Sequence, residues 1–230
     1  MAGWSRLLDW LLPPRCGGCG AVGAWLCAGC RDRVRRLEEP LCRRCGRELE
    51  HAGISCGCRA RLRCLSRLRS VAAYEGPLER AIHRFKYAGW QALSPALAGL
   101  LAEAVGREVG VRPETQLVPV PLHPRRLRQR GYNQAELLVG ELRHRLRLPR
   151  PAGRLIRVRD TPPQVGLDRL RRRGNVDGAF QWQGPRLAGA AILLVDDVAT
   201  TGATLESCAA ALKAGGAGQV TAVTLARVDV

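Results

Sequence analysis

Ile192-Leu193-Leu194-Val195 is a short apolar run that ends in two adjacent acids, Asp196 and Asp197. After Val198 the chain passes through Ala199-Thr200-Thr201-Gly202-Ala203-Thr204, a turn of small residues and hydroxyls, and Leu205 onward reads as a helix. The branched apolar residues suit a buried strand. The acids fall where that strand leaves the core. A phosphate held in the turn sits on the head of the helix, where unpaired N–H groups and the helix dipole favour negative charge. Gly202 lets the backbone approach an anion closely. The Walker A phosphate loop fits less well, because no Gly-Lys-Ser/Thr is present.

The second chemical signature is cysteine. Nine of the ten cysteines precede residue 65. No secretion signal is read before them, so metal is expected over disulfides. Cys16-x-x-Cys19 and Cys27-x-x-Cys30 have knuckle spacing, with Gly20 relieving the first turn. These four are expected to bind one zinc ion tetrahedrally. Cys42-x-x-Cys45-Gly46 begins a second site. Its remaining ligands come from Cys56, Cys58 and Cys64. Cys56 and Cys58 are the assignment adopted, in a bend one residue tighter than usual. Cys58 with Cys64 is an alternative, as is a swap that joins Cys16 and Cys19 to Cys42 and Cys45. All-cysteine sites leave no position for a substrate water, so the metal is structural. It supplies folding energy to a segment with few large apolar side chains. Cys208 reads as a core residue.

These groups need elements to position them. A short N-terminal helix is expected to pack Trp4, Leu7, Leu8 and Leu11 and to stop at Pro13-Pro14. A domain boundary is expected near Ser70, dividing residues 1–69 from residues 70–230. Beyond it, Val71–Tyr74 reads as a strand and Gly76-Pro77 opens a helix through Leu78, Ala81, Ile82 and Phe85. Leu93–Val105 is a second helix, Leu117–Val120 a strand, Gln134–Leu146 a helix and Val220–Ala226 a last strand. Between Pro121 and Gln134 lies a proline-broken loop dense in arginine. A strand, a cationic loop and a helix in that order suit an anion site at the carboxyl edge of a parallel sheet. Arg154–Asp160 is a basic segment, Thr161–Gln164 a stiff turn, and Asp168–Asn175 a charged stretch. The alternation predicts an α/β fold with a mostly parallel sheet.

The net charge of +17 permits nucleic acid or anionic small molecules as partners. All basic residues but Lys86 and Lys213 are arginine and they are spread along the chain, so genomic composition is an equal explanation. Aromatics make up 4% of residues, too few for a base-stacking platform. No segment approaches the ~20 apolar residues of a membrane span, and a cytoplasmic location is expected.

The run from Ile192 to Thr204 resembles the phosphoribosyl diphosphate (PRPP) signature of type I phosphoribosyltransferases. The chain as a whole resembles the ComF family, which joins a double zinc ribbon to a phosphoribosyltransferase-like domain. The likeness is carried by Leu12-Pro-Pro-Arg-Cys16, Tyr74-Glu-Gly-Pro-Leu78, Phe85-Lys86-Tyr87, Val118–His123, Arg130-Gly-Tyr-Asn-Gln134, Thr161–Leu167, Arg172–Val176 and the PRPP turn. Cys56-x-Cys58 departs from the usual spacing. The resemblance implies that Asp196 and Asp197 face the ribose, directly or through Mg²⁺, as the catalytic acids. It implies that Ala199, Thr200, Thr201, Gly202, Ala203 and Thr204 wrap the 5′-phosphate. Leu122, His123, Arg125, Arg126 and Arg130 then belong to the pyrophosphate loop, with His123 a structural residue before an acid or base. Thr161, Gln164, Arg169 and Arg173 belong to a lid. The family is associated with uptake of single-stranded DNA in natural transformation, which makes that DNA and DNA-uptake proteins candidate partners. Three functions follow: a phosphoribosyl transferase, a PRPP-responsive protein without turnover, and a single-stranded DNA adaptor.

Overall fold

In the computed structural model, residues 13–52, 54, 56–159 and 178–228 are described. The N-terminal helix expected before Leu12 and the lid residues Thr161, Gln164, Arg169 and Arg173 lie outside that set. Among the described residues, β1 (Arg67–Ala73), β6 (Val220–Arg227), β5 (Ile192–Ala199) and β2 (Gln116–Pro119) form one sheet in that spatial order. Every pairing in it is parallel. Strands covered on both faces read as continuous apolar runs, and all residues of β6 are buried. A separate antiparallel pair joins β3 (Arg154–Arg157) to β4 (Phe180–Gln183).

One face of the sheet is covered by α2 (Gly76–Tyr87), α3 (Ser94–Ala104) and α5 (Gln134–Leu146). Helix α2 starts with Pro77 in its first turn and buries Leu78, Ala81, Ile82 and Phe85, the i, i+3, i+4, i+7 stripe of an amphipathic helix. Helix α5 is capped by Asn133, whose side chain accepts from the Ala135 N–H at 3.1 Å. The opposite face is covered by α6 (Ala203–Ala214), the β3–β4 pair and Leu62 and Leu65 from the cysteine-rich segment. Cys208 is fully buried there, as expected of a core residue.

The two cysteine clusters dock separately. Short helix α1 (Ala28–Asp32) carries Cys30. The first knuckle sits on α2: Arg84 donates to the Cys16 and Gly17 carbonyls at 2.8 and 3.0 Å, and Arg80 to Gly18 at 2.6 Å. The second sits on β1 and β6. Leu68 N–H donates to Arg44 O at 2.7 Å, Arg69 to Arg43 O at 3.1 Å, and the buried Arg227 to Cys45 O at 2.6 Å. Gly46 has φ +68°, and a Cβ there would lie 2.7 Å from Leu68 O. Only glycine meets both demands.

The arginine loop after β2 is not wholly irregular. Pro124–Arg130 is a helix, α4, with Pro124 in its first turn and no buried residue. A helix with no buried residue has no apolar stripe, so periodicity could not reveal it.

Candidate functional site

Strand β5 runs through the acids to Ala199 instead of ending before them, with Asp196 opposite Thr224 and Ala199 opposite Arg227. Side chains alternate across a strand. Leu193 and Val195 belong to the α2/α5 face, and Leu194 to the α6 face. Asp197 therefore faces α2 and α5, and Asp196 faces α6. Both still line one cavity of about 240 Å³.

Asp197 is buried and held from two sides. Lys86 Nζ lies 2.7 Å from Oδ1, and Gln134 Nε2 donates to Oδ2 at 2.8 Å. Burial opposes the Lys86 charge, but the attraction of Asp197, with Asp196 behind it, outweighs this and raises the lysine above its ordinary value. Asp196 is pushed up to about 7, first by burial and then by the neighbouring Asp197 carboxylate, against the pull of Lys86. Sequence reasoning did not single out Lys86 and Gln134 as site residues, although both fall in segments that carry the family resemblance. A lysine on a helix face gives no local sign of which carboxylate it will meet.

Ala199, Thr200, Gly202, Ala203 and Thr204 line the same cavity. Gly202 is left-handed, φ +82°, and as a glycine it brings no side-chain cap to α6. A Cβ on Gly202 would lie 3.2 Å from Leu62 Cδ2, so the turn packs directly on the chain leaving the second cysteine cluster. Thr201 turns back inside the loop, where its hydroxyl accepts from the Ala203 N–H at 3.4 Å. Next to the turn, Glu206 of α6 accepts from the N–H groups of Arg63 and Cys64, both at 2.6 Å, and Leu65 at 3.1 Å.

Of the expected pyrophosphate residues, Leu122, Arg126 and Arg130 line the cavity. Arg130 also lies over the Tyr87 ring, 5.0 Å from its centroid. His123 and Arg125 are not among the lining residues. His123 caps α4, its Nδ1 accepting from Arg125 N at 3.3 Å. Arg157 of β3 enters the cavity wall, a contribution unseen in sequence. Four cationic side chains, from Lys86, Arg126, Arg130 and Arg157, thus surround two carboxylates, a balance suited to a polyanion.

The cysteines gather as Cys16, Cys19, Cys27 and Cys30, and as Cys42, Cys45, Cys56 and Cys58, each set with its sulfurs within 4.8 Å of one another. Tetrahedral zinc, with Zn–S about 2.3 Å, places sulfurs about 3.8 Å apart. Cys42–Cys58 at 3.6 Å and Cys19–Cys27 at 3.7 Å are close to that. Burial opposes the thiolate at Cys16 and Cys42, yet knuckle backbone N–H groups win and hold each at about 6. Metal ligation needs thiolates. Swapped pairing does not occur. Cys64 stands outside both sets, because Glu206 fixes its backbone against α6. A wider cleft, about 950 Å³, borders the second cluster. Arg44 and Arg69 on its wall donate to backbone carbonyls of the ribbon and its surroundings, so they brace the ribbon.

Two sequence families match the chain: the double zinc ribbon domain at residues 7–60 and the phosphoribosyl transferase domain at residues 151–229. DNA utilization protein YhgH of Salmonella typhimurium is 35% identical over 217 residues, covering 90% of this chain and 92% of that protein. Competence protein F of Haemophilus influenzae is 33% identical over 208 residues, covering 88% and 90%. Competence protein ComFC of Bacillus subtilis is 29% identical over 211 residues, covering 88% and 84%. No helix among the described residues is long and apolar enough to cross a membrane. With a double zinc ribbon ahead of a phosphoribosyl transferase domain, and with competence proteins matched along most of its length, this chain belongs to the ComF family.

Proposed function

We propose that the chain binds PRPP with Mg²⁺ in the β5–α6 cavity and acts as a type I phosphoribosyltransferase-like protein. Residues 1–69 form its zinc module and residues 70–230 its sugar-phosphate module. The observation that carries this reading is the head of α6, led by left-handed Gly202, opening into the cavity that holds Asp196 and Asp197. The 5′-phosphate takes the N–H groups of that turn. The acids face the ribose, and Arg126 and Arg130 take the diphosphate as planar donors. Oxygen donors suit magnesium. Asp196 and Asp197 supply them, and the buried Gln134 Oε1 has no partner among the described residues. When bound, the ion would neutralise diphosphate charge. The side chains do the rest by position and electrostatics, since displacement at the anomeric carbon builds positive charge on the sugar and negative charge on the leaving group.

Calorimetry on zinc-loaded protein is expected to show one PRPP site that requires Mg²⁺, with a dissociation constant of about 1 μM to 1 mM. Gly202→Val should abolish it, because a branched side chain fits neither the φ nor the space beside Leu62. No heat with PRPP on folded, metal-replete wild type overturns the reading. Pyrophosphate release separates a transferase from a binding protein without turnover.

A second reading has support from the names of the relatives, which concern DNA utilization and competence: the chain contacts single-stranded DNA in the cytoplasm through its arginines. Affinity for an oligonucleotide is then expected to fall steeply as salt rises, with weak sequence preference. Affinity unchanged by salt excludes this reading.

A further inference from the structure

Lys86 lines the cavity, and PRPP binding, as proposed, leaves it without a task. Apart from Lys213 it is the only lysine in the chain, and Lys213 donates to the Gly218 carbonyl at the far end of α6. Where arginine is the default cation, the position against the acid pair holds an ammonium. The difference is physical. A guanidinium is a planar fork that grips a carboxylate at two points, whereas an ammonium is a compact charge on a flexible stem. The side chains of Lys86 and Asp197 are 16% and 5% exposed, so their charges face each other with little water between them. Around them are hard oxygen donors: both carboxylates and the Gln134 Oε1, which is buried and has no partner among the described residues. Such a donor set suits a divalent cation, and one oxygen of it is held by Lys86.

We propose that Lys86 is the resident counter-ion of a divalent-cation position, neutralising Asp197 until the cation arrives together with an anion that takes over the ammonium. The proposal rests on the phosphoribosyl reading for the identity of that anion; the exchange of ammonium for metal rests on the acid pair. Two cations on one buried carboxylate repel strongly. Lys86 therefore weakens binding of metal alone. That opposition is relieved when a polyanion gives the ammonium another partner, so metal and anion each raise the affinity for the other.

The test uses the full, zinc-loaded chain and its Lys86→Gln and Lys86→Met variants, with Mn²⁺ alone as first probe, read by electron paramagnetic resonance. Wild type is expected to hold Mn²⁺ weakly, and each variant about tenfold tighter or more. Calorimetry with PRPP and Mg²⁺ is expected to show mutual potentiation in wild type and its loss in the variants. Removing the ammonium strands a buried carboxylate, so the variants should unfold at lower temperature in buffer without divalent ions. Mg²⁺ should raise their midpoint and leave that of wild type in place. Mn²⁺ affinity unchanged or weaker in both variants, or a midpoint that Mg²⁺ moves equally in all three proteins, overturns the proposal. If wild type binds no PRPP while the variants still gain Mn²⁺, the counter-ion role stands and the phosphoribosyl reading falls.

Discussion

Cys42→Ser is expected to halve the zinc content of the purified chain and to lower its unfolding midpoint more than removal of either cavity carboxylate does. Cys42 lies 3.6 Å from Cys58 and 3.1 Å from Cys56 at the centre of the second cluster. Structural zinc contributes about 10–16 kcal/mol to the folding of isolated finger peptides. Docking on the sheet retains part of that, since Arg227 and Leu68 still grip the knuckle carbonyls. The damage should spread, because Leu62 packs against Gly202 and Glu206 holds the backbone at Arg63–Leu65. Loss of the ion is thus expected to loosen the Ala199–Thr204 turn. Zinc quantified by mass spectrometry, together with thermal unfolding, checks this. Cys64→Ser is the control, and its zinc content should equal that of wild type. A Cys42→Ser protein that keeps two zinc ions would show that the cluster is not a ligand set.

Asp197→Asn is the second large effect. The substitution keeps the shape but leaves the Lys86 ammonium without its nearest carboxylate in a poorly hydrated site. Removing one partner of a buried pair costs about 3–5 kcal/mol. The nearby Asp196 supplies some compensation, so the lower end, about 3 kcal/mol, is expected in urea unfolding. Asp196→Asn should behave differently in stability. It removes a like charge beside Asp197 and, among the described residues, no salt bridge, so its effect should lie within about 1 kcal/mol. Under the phosphoribosyl reading, both variants should lose Mg²⁺-dependent PRPP binding. Equal stability losses in the two variants would contradict the strand geometry, which gives the acids different neighbours on opposite faces of β5.

How much of this was legible in the sequence follows from the reach of each signal along the chain. Knuckle spacing is local: Cys16-x-x-Cys19 and Cys42-x-x-Cys45 each close within one turn, so both could be read directly. The same holds for α2 and α5, whose apolar stripes and first-turn residues are continuous in sequence, and for the apolar run of β5. Completion of the second cluster was not local. Cys56, Cys58 and Cys64 compete for the same ion on spacing alone, and the choice falls to Glu206 of α6, which pins Cys64 elsewhere. Helix α4, which buries no residue, and the short strands β3 and β4 lack periodicity strong enough to declare them. Lys86, Gln134 and Arg157 come from three separate elements and meet the acids only after the sheet has set its order. The sequence by itself therefore determined the family, the metal knuckles and the strand–acid–turn unit, all of them short-range patterns. Tertiary structure alone decided the cavity's cations and the differing surroundings of Asp196 and Asp197, because strand alternation and helix packing set which side chains share a buried volume.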